Sequence, residues 1–90
     1  MKNKNISEVT NILIKLHNTT LGKINIYHSY IIYIIKNKTN HIENSLSQYG
    51  LIDLINATTI LLDAFMGVDY YIQREVEKCL TLLHVELKSI

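Results

Sequence analysis

Apolar residues recur every three or four positions in several segments of the chain, which is the spacing of one face of an α-helix. The clearest segment covers residues 69–89, where Asp69 is a suitable N-cap and the other faces are polar or charged. Its apolar stripe is about 100° wide, as expected for a helix that covers a core on one side. We predict that six residues of this stripe contact the core: Ile72, Val76, Cys79, Leu80, Leu83 and Leu87.

Two earlier segments have helical spacing, but only one of them is unambiguous. Residues 6–19 carry a regular apolar stripe, and Asn5 followed by Glu8 fits a capping box at its start. Residues 23–37 are rich in β-branched and aromatic side chains, which favours a strand locally. Because neither a hairpin turn signal nor an obvious partner strand is present, we predict a helix here as well.

The remaining pattern predicts a short helix over residues 41–49, with Asn40 and Glu43 as a second capping pair, and a long helix over residues 51–66. Gly22, Gly50 and Gly67 are expected just beyond helix ends. The predicted fold is therefore an all-α bundle of four main helices and one short helix. It forms a single domain over residues 1–90, of which residues 1–5 are expected to be flexible.

The second and third main helices are more apolar than a surface helix requires. In residues 23–37 the apolar arc covers roughly 200°, where about 100° is sufficient. In residues 51–66 the polar side chains are confined to one narrow face: Asp53, Asn56, Thr59 and Asp63. We therefore expect a homodimer or one other protein partner to cover part of these helices.

Tyrosines are the most suggestive residues for such a contact, because tyrosine buries a large area while it keeps one polar end. The predicted interface consists of Tyr27, Tyr30, Ile31, Tyr33 and Ile34. An alternative is that several tyrosines only cover the bundle core and keep their hydroxyls in water.

Composition agrees with one small folded domain: the chain has 90 residues, 48% of them apolar and 19% charged, with a net charge of +1. The longest apolar run, residues 30–35, is far shorter than the roughly 20 residues that span a membrane. A single cysteine and no recognisable secretory signal predict a cytoplasmic location. Abundant Ile, Asn, Lys and Tyr indicate an A/T-rich genome, such as that of a bacterium, a mobile element or a virus.

Residues that could carry out chemistry are few and poorly spaced. The four histidines and Cys79 do not have the spacing that places two zinc ligands on one helix face. A glycine-rich phosphate loop is absent, and the carboxylates of Glu75 and Glu77 point in different directions on a helix. We therefore expect no enzyme activity: no catalytic residue, metal, cofactor or small-molecule substrate.

Two functions fit these patterns. In size and helical pattern the chain resembles small bacterial helical proteins such as bacteriocin immunity proteins, secretion co-chaperones and dimeric biofilm or stress regulators, although none of their motifs is present. The first hypothesis is stoichiometric protein binding by a regulator, adaptor, chaperone or inhibitor. The alternative is a dimeric DNA-binding regulator, because residues 1–45 carry six lysines and two glutamates. A single arginine and a pI of about 7.9 make this alternative the weaker one.

Overall fold

The computed structural model describes residues 4–40 and 45–89, and within these ranges the chain folds as a helical bundle. Its helices are α1 (Lys4–Thr19), α2 (Asn25–Lys38), α3 (Gln48–Phe65) and α4 (Tyr70–Lys88). Between α2 and α3, the two-residue strands β1 (Thr39–Asn40) and β2 (Ser45–Leu46) pair in antiparallel register. The predicted all-α bundle of four main helices is confirmed, including a helix in the ambiguous second segment.

The stretch before α3 differs from the short helix predicted over residues 41–49. Ser45 pairs with Asn40 and Leu46 with Thr39, and α3 already begins at Gln48. The reason is a cap that the pattern did not reveal: the Ser47 hydroxyl accepts a hydrogen bond from the Gly50 N–H at 3.1 Å. Residues 41–44, including Glu43 of the predicted capping pair, lie outside the described residues.

Gly50 was expected to follow a helix end, and the structure instead places it, buried, in the first turn of α3. The other two glycines lie at turns, as predicted. Gly22 follows α1 with φ of +78° and Gly67 follows α3 with φ of +75°, a backbone region that favours glycine.

The start of α1 also differs from its prediction. The helix begins at Lys4, so Asn5 lies inside it and does not form a capping box with Glu8. The Asn5 amide donates instead to the Glu86 carboxylate at 3.1 Å, which links the beginning of α1 to the end of α4. Of the five residues expected to be flexible, Lys4 and Asn5 are helical, and residues 1–3 lie outside the described residues.

The helices pack in the order α1, α4, α3, α2 around a core that all four share, in a bundle about 37 Å long. In α4, four of the six stripe residues are fully buried, and Leu80 and Leu87 are partly buried against the core. Helix α3 packs between α4 and α2, which bury one broad side of it, while Tyr49, Ile52 and Ile60 remain exposed. The polar residues of α3 that the pattern grouped on one face are all exposed: Asp53, Asn56, Thr59 and Asp63.

Candidate binding surfaces

The outer face of α2 carries three large apolar residues that remain exposed in the folded chain. Ile26 is 82% exposed, Tyr30 55% and Tyr33 59%. Their spacing of four and then three residues places them on one side of the helix. We call these three residues the α2 stripe.

The structure divides the predicted interface into two groups. Ile31 and Ile34 are buried in the core of the single chain, and Tyr27 is partly buried, with its ring edge-on to Phe65 at a centroid distance of 6.1 Å. Tyr30 and Tyr33 are exposed on the α2 stripe. The apolar arc of α2 thus combines a core face, covered mainly by α3, with an outer face.

Ile26 belongs to this surface although it was not among the predicted interface residues. Its position four residues before Tyr30 was a usable signal, because residues 26, 30 and 33 form one row on a helix. The row could not be separated from the rest of the apolar arc of roughly 200°, because the sequence pattern does not show which part of that arc contacts the core.

A second apolar surface lies at one end of the bundle, where the α1–α2 turn and the α3–α4 turn come together. Five large side chains are exposed there: Leu21 (94%), Val68 (77%), Tyr70 (65%), Met66 (51%) and Tyr71 (43%). We call these five residues the bundle tip. Leu21 and Val68 contribute nothing to the core at these exposures, and the sequence pattern did not single out Leu21, Met66 or Val68.

Polar contacts join the two turns of the bundle tip. The Lys23 ammonium lies 3.4 Å from the Asp69 carboxylate, and the hydroxyls of Thr19 and Tyr71 are 3.4 Å apart. Asp69 also caps α4, as predicted, since its carboxylate accepts from the Ile72 N–H at 3.2 Å. That hydrogen bond, together with Lys23, lowers the pKa of Asp69.

Two histidines stack where α1 meets α2. The rings of His17 and His28 have centroids 4.3 Å apart and planes inclined by 25°. The His17 Nε2–H donates to the Asn25 amide oxygen at 2.6 Å, while the His28 Nε2 is buried and has no hydrogen-bond partner among the described residues. Burial, and then the charge of His17, lower the pKa of His28, so this ring is neutral at pH 7.

Cys79 is surrounded by the core and has no features of a nucleophile. Burial and then the nearby Glu75 carboxylate raise the pKa of the Cys79 thiol to about 12. Glu75 itself is bound by Lys78 at 2.8 Å and lies 3.9 Å from Lys15. Among the described residues no three His, Cys, Asp or Glu side chains come together as metal ligands.

None of the helices in the described ranges is long and apolar enough to cross a membrane. Neither a protein-family model, nor a curated protein, nor a solved structure matches the chain. Two groups of large apolar side chains therefore remain exposed together in the described part of the chain, the α2 stripe and the bundle tip.

Proposed function

We propose that this chain is a non-enzymatic protein that acts by stoichiometric binding of one protein partner through the α2 stripe. The observation that carries the proposal is the exposure of Ile26, Tyr30 and Tyr33 in one row of α2, at 82%, 55% and 59%. Large apolar side chains grouped on a helix face are typical of helix-mediated protein contacts. Regulators, adaptors, chaperones and inhibitors all act in this way.

A second copy of the chain is the partner that this surface fits most simply. Two copies of α2 related by a two-fold axis would bring the same stripe against itself. The stripe carries no charged residue, so this pairing places no like charges at its centre. Three side chains from each copy make a small interface, and we expect a dimer that forms at high micromolar concentrations.

The test is the molar mass in solution of the double variant Ile26→Lys, Tyr30→Lys. We expect light scattering to give a dimer mass for the unchanged protein and a monomer mass for this variant. Each buried side chain of this size contributes about 1.5 to 3 kcal/mol, so two lysines should abolish the association. Both positions are exposed, and the variant should keep its helical far-ultraviolet spectrum.

Tyr49→Lys is the matched control, because Tyr49 is 81% exposed but lies on α3, and it should leave the mass unchanged. Ile34→Lys is unsuitable as a test of association, because Ile34 is 2% exposed and a buried lysine there should unfold the chain. A monomer mass for the unchanged protein at high micromolar concentration, with no protein co-purifying from its source cell, would contradict the proposal.

The alternative, a dimeric DNA-binding regulator, depends on lysines of the N-terminal half. Two of these lysines lie near carboxylates of the α4 region: Lys15 near Glu75 and Lys23 near Asp69. Such pairs reduce the positive potential available to a phosphate backbone. This geometry favours protein binding over DNA binding.

A further inference from the structure

At the bundle tip, Leu21 has a left-handed backbone conformation, which is rare for apolar residues, and its side chain points into solvent. Leu21 has φ of +56° and is 94% exposed. A left-handed conformation is unfavourable for a leucine, and full exposure brings it no burial in return. The left-handed backbone lies just beyond the end of α1, where it reverses the direction of the chain, but the Leu21 side chain gains no burial there. Large apolar side chains exposed together, as at the bundle tip, are typical of a contact site.

We propose that the bundle tip docks on a phospholipid bilayer and inserts Leu21 and Val68 into the boundary between headgroups and acyl chains. Shallow insertion of this kind reaches about 5 to 10 Å below the surface and needs no membrane-spanning helix. Tyr70 and Tyr71 begin α4, next to the turn that carries Val68. Tyrosine is enriched at the headgroup level, since its ring is apolar and its hydroxyl is polar.

Several backbone N–H groups of the two turns are hydrogen-bonded within the chain. In the α1–α2 turn, the N–H groups of Thr20, Lys23 and Asn25 donate to carbonyls of the same segment at 3.0 to 3.2 Å.

In the α3–α4 turn, the Val68 N–H donates to the Phe65 carbonyl at 3.0 Å. Gly67 N–H donates to the Gln73 side chain and Asp69 N–H to the Phe65 carbonyl, each at 3.1 Å. Donors that are already bonded can approach hydrocarbon without the large cost of an unsatisfied N–H group.

Charges at the edge of the bundle tip favour an anionic surface. The Arg74 guanidinium lies 5.7 Å from the centre of the Tyr70 ring, so this cation lies beside the apolar side chains. Lys23 is exposed there as well, but its pairing with Asp69 reduces its share of the positive potential. The nearby Asp69 carboxylate is held by Lys23 and by the Ile72 N–H. Lysine and arginine at the headgroup level are attracted to anionic lipids. Two turns at the end of a 37 Å bundle can approach a planar surface without obstruction from the helices behind them.

The test is co-flotation of the full chain with vesicles of phosphatidylcholine and phosphatidylglycerol in equal amounts. We expect the unchanged protein to float with these vesicles, and less of it to float with phosphatidylcholine alone. The variant Leu21→Asn, Val68→Asn should bind at least about tenfold more weakly, because two aliphatic side chains no longer leave water. Asparagine tolerates the backbone conformation of Leu21, and both positions are exposed, so the variant should remain folded.

Ile60→Asn is the matched control, because Ile60 is 59% exposed on α3, away from the bundle tip, and it should float like the unchanged protein. The α2-stripe variant should also keep its vesicle binding, so this test is independent of the proposed protein contact. The proposal is overturned if the unchanged protein does not float, or if the tip variant floats equally well. It is also overturned if the tip variant loses dimer mass while vesicle binding persists, since the bundle tip would then be a protein interface.

Discussion

The Cys79 thiol and the His28 imidazole show how burial sets the chemistry of single residues in this bundle. Both groups are held in their neutral forms, one inside the core and the other in the junction of α1 and α2. In neither case does a partner stabilise the charged form enough to offset the loss of solvation. These two side chains therefore respond to pH in ways that can be measured.

We predict that Cys79 reacts slowly with thiol reagents in the native protein and rapidly in denaturant. The thiol is fully buried, and a pKa of about 12, raised from 9.0, lowers the thiolate fraction by about three orders of magnitude. Labelling followed by mass spectrometry at neutral pH checks this. Rapid labelling of the folded chain would show that Cys79 is accessible and reactive.

We predict that the free energy of unfolding decreases as the pH falls from about 8 to about 5, with His28 contributing to the slope. The folded-state pKa of His28 lies below the usual histidine value of 6.5, so the unfolded chain binds more protons in this range. The stabilisation is complete above the unfolded-state pKa and is lost as the pH falls through that value towards the folded-state pKa. His17 stacks on this ring from α1, and its charge is the second cause that lowers the pKa of His28.

Urea unfolding of His28→Gln against pH measures this contribution, and its profile should be flatter than that of the unchanged protein. Asn56→Gln is the control, because Asn56 is exposed on α3 and has no titratable group, so the slope should stay unchanged. Identical slopes for the unchanged protein and His28→Gln would show that His28 titrates equally in the folded and unfolded chains.

At the scale of the helices, local signals near a terminus decide where each element begins. Asp69 could be identified as the cap of α4 because a polar residue stands immediately before a one-sided apolar stripe. The pattern does not indicate Ser47 as a cap, because residues 41–49 also fit a helical spacing that Gly50 would end. In the structure Gly50 lies in the first turn of α3, three residues after the cap Ser47, so this glycine is near the beginning of a helix and not at the end of one.

We predict that Ser47→Ala lowers the free energy of unfolding by about 1 kcal/mol, because the Gly50 N–H loses its hydrogen-bond acceptor. Urea denaturation measures the change. Ser29→Ala is the control, since Ser29 is exposed in the interior of α2, and its effect should stay within about 0.5 kcal/mol. Equal losses in the two variants would argue against a stabilising cap at Ser47.

At the scale of the whole molecule, the arrangement of the helices decides which apolar surfaces remain exposed. Helix α3 packs on two sides, against α4 and α2, and keeps Tyr49, Ile52 and Ile60 exposed. Helix α2 packs mainly against α3 and keeps Ile26 and Tyr30 outside. Both helices are more apolar in sequence than a surface helix requires, and the positions of their neighbours decide which of their apolar residues are buried.

The amino-acid sequence by itself determined the number of main helices, their approximate bounds, the cap at Asp69 and the buried positions of α4. All of these depend on interactions within a few residues or on the 3.6-residue period, which are present in the chain before it folds. Tertiary packing decided which apolar residues are buried and which exposed residues lie close together. It buried Ile31 and Ile34 while it left Tyr30 exposed, and it brought Leu21 and Val68 to one end of the bundle. Such proximity depends on contacts between residues far apart in sequence, as between Lys23 and Asp69, and no local period encodes it.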